Sequence, residues 1–276
     1  MKRVTVLAAT GRLGQALLRQ MGAEAMKVIA VGRDPARLAA LPPGIETRIA
    51  DLNDPAALRA ALADAELVVS CANAQFVPAI LAALPQNGVE RLVLMGSTRR
   101  FSAVPDSTAT AVRAAESALH ACPIPSVLLL ATLIYGGGAG VVEILAAQIR
   151  RFPVLPLLGG SALVQPIHIG DVAAALVAGL VRPNAPGAPI VIAGPRAMPY
   201  RDMVRSIAST RRLRLVLLPV PPGVVRVIVR LAGRVGPLAP IAGSMRRLLE
   251  DRSFDISDMR DRLGLVPREF APVSPA

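Results

Sequence analysis

The sequence is poor in several residue types, and each shortage narrows the possible functions. Its 276 residues include no tryptophan and two cysteines, and aromatic residues make up only 3%. Two cysteines, Cys71 and Cys122, are too few for a disulfide-stabilised scaffold and fit a reducing compartment. The shortage of aromatic side chains leaves little that could stack on bases, so nucleic acid is the least favoured partner.

The sequence also lacks long apolar runs and targeting segments. It contains no run of about 18 apolar residues, and Met1-Lys2-Arg3 leads directly into a strand pattern rather than a signal peptide. We therefore expect a cytoplasmic protein that is at most peripheral to a membrane. Hydrophobic residues make up 53% of the chain, which is enough to fill a sizeable core.

Acidic residues are outnumbered, with 19 Asp and Glu against 31 Lys and Arg and a net charge of +12. A solvated basic surface is one interpretation, and an acidic partner such as a nucleotide or an anionic lipid is the other. In the apolar segment 221–249, Arg226, Arg230 and Arg234 are spaced to share one face of a helix. That segment is predicted to be either a lobe helix with a solvated face or a contact surface for a membrane or a protein partner.

What the chain does contain, at its start, is a strand, a glycine turn and a helix. Val4–Leu7 has the pattern of a buried strand, and Ala8-x-x-Gly11-x-x-Gly14 follows it directly. Glycines at such a turn let the backbone approach a pyrophosphate, whose charge the helix N-terminus favours. A plain strand–helix connection is the alternative, but the context favours nucleotide binding. The cofactor-binding residues predicted here are Ala8, Thr10, Gly11, Arg12, Leu13 and Gly14.

This turn resembles the T-G-x-x-G-x-x-G turn of the extended and atypical short-chain dehydrogenases/reductases, with Ala8 in place of the first glycine. Ile134-Tyr135-Gly136 and segments 163–173 and 254–268 resemble other motifs of that superfamily. The chain is therefore similar to NAD-dependent epimerase/dehydratase or NmrA-like proteins. The resemblance implies an α/β fold, with a Rossmann-type doubly wound parallel sheet of about seven strands in residues 1–185. A strand near 189–193 would complete that sheet, and residues 186–276 would form a small C-terminal α/β lobe.

The residues after the second predicted strand select the nucleotide in this fold. Arg33 stands there, and an arginine accommodates the 2′-phosphate of NADP, whereas a carboxylate accepts the ribose hydroxyls of NAD. Asp34 is the competing residue, although Asp34-Pro35 also has the pattern of a helix N-cap followed by proline. NADP is therefore predicted, with NAD as the alternative. The resemblance and the strand ends add Asp51, Leu52, Cys71, Ala72, Ser97 and Thr132 as predicted cofactor-binding residues.

The catalytic pair of the resembled superfamily is missing. Its catalytic members carry Tyr-x-x-x-Lys on the helix after the fifth strand, and this chain has Thr108 and Val112 at those places. Ser97, Thr98 and Tyr135 remain as catalytic candidates, with a structural role as the alternative for Tyr135. Two functions stay open. One is an NADP-dependent oxidoreductase or epimerase-like protein with an unknown small-molecule substrate. The other is a non-catalytic sensor or structural subunit, resembling the accessory Rossmann subunit of respiratory complex I.

Three further predictions concern the middle of the chain. Ser126–Tyr135 is predicted as one strand. Asp171 is expected to cap a helix over Val172–Leu180, with His168 in a structural role. No cluster of cysteine, histidine and carboxylate residues has metal-ligand spacing, so no metal site is predicted.

Overall fold

The computed structural model describes residues 2–21, 26–104, 106–138, 140–157, 160–183, 185–220, 223–224, 246–247 and 249–272. The strands are β1 (Lys2–Leu7), β2 (Met26–Gly32), β3 (Glu46–Ile49), β4 (Leu67–Ser70), β5 (Arg91–Ser97), β6 (Ser126–Ala131), β7 (Ile134–Tyr135), β8 (Val154–Leu157), β9 (Leu163–Val164), β10 (Ile167–His168), β11 (Ile190–Ile192), β12 (Met198–Pro199) and β13 (Val216–Pro219). The helices are α1 (Arg12–Met21), α2 (Pro35–Ala39), α3 (Pro55–Leu62), α4 (Val77–Ala83), α5 (Ser107–His120), α6 (Val141–Arg151), α7 (Ile169–Val181), α8 (Tyr200–Thr210) and α9 (Ser257–Leu263).

The central sheet has seven parallel strands in the order β11-β6-β5-β4-β1-β2-β3. Its side chains alternate between two apolar layers, because successive residues of a strand point to opposite faces. Val69 of β4 packs in the layer that contains Leu17 of α1 and Leu176 of α7. Its neighbour Val68 packs in the layer that contains Leu58 of α3. Helices therefore cover both faces, and the predicted doubly wound sheet of about seven strands is confirmed, with β11 as the strand near 189–193.

A third apolar cluster forms a smaller lobe. It joins Leu145 and Ile149 of α6 to Met203 and Ile207 of α8, with the two-stranded parallel sheet of β8 and β13 packed against them. Residues on both sides of position 185 contribute to this cluster, and the domain division at 185 stays a prediction. Most of the basic segment 221–249 lies outside the described residues. Within the described residues, no helix is both long and apolar enough to cross a membrane.

The strand predicted over Ser126–Tyr135 is two strands in the structure. β6 ends at Ala131, and the chain leaves the sheet where the Thr132 hydroxyl donates to the Gln165 carbonyl at 2.5 Å. It resumes as β7, which pairs with β10 rather than with the central sheet. The polar side chain after Ala131 thus redirects the backbone.

The start of α7 also differs from the prediction. The helix begins at Ile169, and the cap is His168, whose Nδ1 accepts a hydrogen bond from Gly170 N at 3.0 Å. The prediction that Asp171 is the cap is therefore wrong. Its carboxylate lies in the first turn and accepts instead from Arg268, at 3.0 Å from the backbone N and 2.8 Å from Nε.

Candidate functional site

The turn after β1 has a left-handed residue at its first position. Ala8 has φ +56°, a conformation that costs a residue with a Cβ about 1–2 kcal/mol and that glycine adopts without this penalty. Gly11 N donates to Ala8 O at 3.1 Å, and Ala9 N donates to Val31 O at 3.0 Å, which fixes the turn to β2. The chain thus keeps the backbone shape of a glycine turn although alanine occupies the position.

The two glycines of the turn serve different purposes. A Cβ on Gly14 would lie 2.4 Å from Ala9 O and 2.6 Å from Ala8 O, so only glycine lets α1 pack this closely on the turn. A Cβ on Gly11 would meet only Ala8 O, at 3.3 Å. Gly11 borders open space at the carboxyl end of the sheet, where a phosphate group could approach the backbone.

Two clefts meet at this edge of the sheet. The first, here called the Arg33 cleft, has a volume of about 310 Å³, and the second, called the Ser97 cleft, has a volume of about 470 Å³. They share the loop residues Cys71, Ala72 and Asn73 after β4, so they lie side by side. The predicted residues that line the Arg33 cleft are Ala8, Thr10, Gly11, Arg33, Asp51, Leu52, Cys71 and Ala72. Those that line the Ser97 cleft are Leu13, Cys71, Ala72, Ser97 and Thr132.

The Arg33 cleft has two guanidinium groups at one end. Arg33 lines it together with Arg37, whose Nη2 donates to Thr10 O at 2.7 Å. Asp34 does not line the cleft, because its carboxylate caps α2 by accepting from Ala36 N at 3.0 Å and Arg37 N at 3.2 Å. The N-cap interpretation of Asp34 is therefore confirmed. Arg33 and Arg37 therefore bring positive charge to the lining of this cleft, and Asp34 brings no negative charge to it.

Asp51 supplies the carboxylate of the Arg33 cleft. Its Oδ1 accepts from the backbone N of Asn53 at 2.8 Å and from Asn53 Nδ2 at 2.9 Å. These hydrogen bonds, with a smaller contribution from the charge of Arg33, hold the pKa of Asp51 below its usual value. The carboxylate is therefore ionised near neutral pH and can accept hydrogen bonds from a ligand.

The Ser97 cleft contains the positions where the catalytic pair would stand. Thr108 and Val112, on α5, both line it. The two positions that the resemblance aligns with the catalytic tyrosine and lysine thus lie at the cleft, but neither carries an acidic or a basic side chain. Ser97 lines it at the end of β5, and its Oγ accepts from Arg99 N at 3.3 Å.

Arg99 is the residue of this cleft that the sequence reasoning missed. Its Nη1 donates to Thr108 Oγ1 at 3.2 Å, and its Nε lies 3.5 Å from Asp106 Oδ2. The same carboxylate oxygen lies 3.4 Å from Arg247 Nη1, so one negative charge is shared by two guanidinium groups. The cluster therefore retains positive charge. The signal available in the sequence was position alone, since Arg99 follows Ser97 and Thr98 at the end of a buried strand.

Four predicted site residues line neither cleft. Tyr135 is 2% exposed, and its hydroxyl donates to Glu269 O at 3.2 Å and accepts from Ala271 N at 3.3 Å. Burial raises its pKa, and its ring packs edge-on against His168 and Phe270. Thr98 is also buried and donates to Ala131 O at 3.3 Å. The remaining two are Gly14, beneath the turn, and Arg12, which is exposed and extends toward Gly140.

Cys71 lies where the two clefts join. Burial raises the pKa of its thiol to about 12, so the thiol stays protonated near neutral pH. A protonated thiol is a poor nucleophile, which favours a packing role beside the ligand over covalent chemistry.

Comparisons with known proteins agree with the fold. Residues 8–121 match a family described as NAD(P)H-binding, and no curated protein matches the chain significantly. A nucleoside-diphosphate-sugar epimerase from Staphylococcus aureus has a similar structure, with 16% identity, a TM-score of 0.72 and 98% of each chain covered. UDP-glucose 4-epimerase from Thermotoga maritima gives 14% identity and a TM-score of 0.74 over 96% of this chain and 94% of that chain. The NADPH-dependent quinone oxidoreductase QOR2 from Escherichia coli gives 20% identity and a TM-score of 0.71 over 96% of each chain.

Proposed function

We propose that this chain, whose residues 8–121 match an NAD(P)H-binding family, is an NADPH-dependent reductase. Its substrate would be a quinone-like acceptor in the Ser97 cleft. The proposal rests on the composition of this cleft. It contains the cationic Arg99, and Thr108 and Val112 occupy the positions that correspond to the tyrosine and lysine of the superfamily.

The Arg33 cleft supports NADP over NAD. Arg33 and Arg37 line it, whereas the carboxylate of Asp34, which would favour ribose hydroxyls, is occupied in capping α2. A charge-assisted contact between arginine and phosphate contributes about 1.5–3 kcal/mol. The N-terminus of α1 and the backbone at Gly11 would hold the pyrophosphate between the two clefts.

The Ser97 cleft supports an acceptor that needs no strong acid. NADPH, when bound, supplies a hydride. Reduction of an ordinary carbonyl creates an alkoxide that must be protonated at once, a task for which Thr108 is far too weak an acid. Reduction of a quinone creates a phenolate-like oxygen, whose conjugate acid has a pKa of about 10, so solvent can protonate it. A guanidinium such as that of Arg99 would stabilise this anion, and the Ser97 hydroxyl would donate a hydrogen bond to it.

Steady-state kinetics tests the proposed reaction. Purified protein should oxidise NADPH with a soluble benzoquinone and should be at least tenfold slower with simple aldehydes. Arg99→Gln should lower kcat/KM for the quinone by about tenfold to a hundredfold, as expected for a lost charge-assisted contact. Arg99→Lys should restore part of it. Arg113→Gln is the control, since this arginine is exposed on α5 and lies outside the cleft.

Calorimetry tests the nucleotide preference separately. NADPH should bind at least tenfold more tightly than NADH, which corresponds to about 1.4 kcal/mol. Arg33→Ala should remove most of that preference, whereas Asp34→Ala should weaken the helix cap and leave the preference in place. Equal affinities for the two nucleotides, or tighter NADH binding that Asp34→Ala reverses, would overturn the NADP assignment.

A non-catalytic nucleotide-binding protein is the second candidate, favoured by the same Thr108 and Val112. If the protein has this second function, it would bind NADPH more tightly than NADH and would reduce no acceptor. Tight NADPH binding without turnover of quinones or aldehydes would therefore decide for the second candidate and against the first.

A further inference from the structure

An apolar surface of the small lobe faces solvent. In β8 and β13, alternate side chains such as Leu155 and Leu217 pack inward against the lobe cluster. The side chains between them point outward, and Phe152, Val154, Val216 and Leu218 are 47–58% exposed. We call these four residues, with the exposed Pro156, the Val154 face. Large apolar side chains gathered on one exposed face are typical of an interaction surface, whereas single ones are not.

Arginines flank the residues of this face in the sequence. Arg150, Arg151, Arg212 and Arg214 are all exposed, and the Arg151 guanidinium lies 5.3 Å from the centre of the Phe152 ring. Segments 144–157 and 212–218 contain no Asp or Glu. In the part of the chain that the structure describes, none of these four arginines forms an ion pair. Their charge is therefore not neutralised by nearby carboxylates.

The sequence around β13 has the same bias over a longer range. Between Asp202 and Glu250 the chain has nine arginines and not one acidic residue, although the whole chain has a net charge of only +12. Most of the excess positive charge therefore lies in the part of the chain that contains β13. The excess charge is therefore concentrated in one part of the sequence.

From the apolar centre and the arginine border we propose that the Val154 face docks on an anionic lipid bilayer. Phe152, Val154, Val216 and Leu218 would enter the boundary between headgroups and acyl chains, and the arginines would contact lipid phosphates. The five residues of the face are all apolar, whereas a protein interface usually includes polar side chains that form specific hydrogen bonds. Phe152 is its only aromatic residue, which is a poor base-stacking surface.

The absence of tryptophan from the chain makes a clean test possible. Phe152→Trp places one fluorophore in the Val154 face. The matched control is Phe101→Trp, because Phe101 is 51% exposed and has the Arg100 guanidinium 5.1 Å from its ring centre. Vesicles of phosphatidylcholine with a third phosphatidylserine should shift the emission of Phe152→Trp to the blue and leave that of Phe101→Trp unchanged. Vesicles of phosphatidylcholine alone should shift neither.

Cosedimentation with the same vesicles measures the electrostatic contribution to membrane binding. Each arginine near an anionic surface contributes about fivefold in affinity, or about 1 kcal/mol, so Arg212→Gln with Arg214→Gln should weaken binding by roughly 25-fold. The control with equal charge loss is Arg19→Gln with Arg59→Gln, on exposed positions of α1 and α3. It should change binding no more than twofold.

Several results would overturn the proposal. These are no binding to anionic vesicles, binding without an emission shift in Phe152→Trp, and equal loss in the two double variants. A blue shift that grows with protein concentration in the absence of lipid would instead identify the face as a self-association surface. Binding to an oligonucleotide but not to vesicles would identify nucleic acid as the partner. The face shares no residue with either cleft, so these results do not depend on the proposed reductase activity.

Discussion

The same substitution, glycine to alanine, should have opposite consequences at the two glycines of the nucleotide turn. In Gly14→Ala the new methyl would lie 2.4 Å from Ala9 O and 2.6 Å from Ala8 O. Both acceptors are backbone atoms, so no side-chain rotation relieves the overlap, and α1 or the turn must move. Overpacking of this kind costs about 1–3 kcal/mol, although alanine is otherwise the better helix former.

In Gly11→Ala the methyl would lie 3.3 Å from Ala8 O, a contact that a shift of a few tenths of an ångström relieves. The free energy of unfolding should then change by less than about 0.5 kcal/mol, as for an ordinary surface substitution. Gly11 borders the Arg33 cleft, however, and its methyl would stand where the backbone and a phosphate must approach each other. We expect NADPH affinity to fall at least tenfold in this variant, and to be lost in Gly11→Val.

Thermal unfolding and calorimetry with NADPH, applied to both variants, separate the two effects. Gly14→Ala should lower the unfolding temperature by about 2–4 °C for each kcal/mol lost, and Gly11→Ala should leave it nearly unchanged. The reasoning is refuted if Gly14→Ala is as stable as the wild type. Wild-type NADPH affinity in Gly11→Val would place the nucleotide elsewhere.

Three more predictions concern single side chains. Ala8→Gly should stabilise the protein by about 0.5–1 kcal/mol in urea unfolding, because relief of the positive φ exceeds the added flexibility of the unfolded chain; a less stable variant would contradict the strain at this position. Tyr135→Phe should lower the free energy of unfolding by about 1–2 kcal/mol, because it removes two hydrogen bonds. NADPH affinity and turnover should not change, and a hundredfold loss of turnover would show that the tyrosine takes part in catalysis. A hydrogen bond from Arg48 lowers the pKa of Asp64 from 3.8 to about 2. The Arg48–Asp64 pair should therefore stabilise the folded protein above about pH 4, and this stabilisation should disappear as the pH falls toward 2. Acid unfolding of Asp64→Asn should lack that part of the pH dependence, and an unchanged profile would show that the pair contributes nothing.

Local sequence signals predicted the sheet and the glycine turn that leads into α1, because each depends on residues close together in the chain. Buried apolar runs mark β1, β2 and β5, and a proline after Asp34 marks the start of α2. Thr108 and Val112, which the resemblance aligns with the missing catalytic pair, both line the Ser97 cleft.

Long-range contacts explain what the sequence could not show. The Tyr135 motif was visible, but its hydroxyl is satisfied by backbone groups of residues 269 and 271. Asp171 has the composition of a helix cap and binds Arg268 instead, nearly a hundred residues later. Arg99 enters the candidate site because α5 returns over the end of β5 and brings Thr108 within 3.2 Å of it. None of these partners is encoded by a local pattern.

The contacts made by residues 257–271 have a consequence for how the protein matures during synthesis. α9 buries Met259 and Leu263 in the layer that covers β11 and α7, and the residues after it supply the partners of Tyr135 and Asp171. A ribosome adds about 5–20 residues per second, so roughly 3–13 seconds separate the synthesis of β11 from that of residue 257. During that interval the outer strand β11 and the N-terminus of α7 are exposed to solvent, because α9 and the residues after it have not been synthesised. A nascent chain stopped before residue 257 should therefore be more sensitive to protease at β11 than at β1, and release of the complete polypeptide should close that difference.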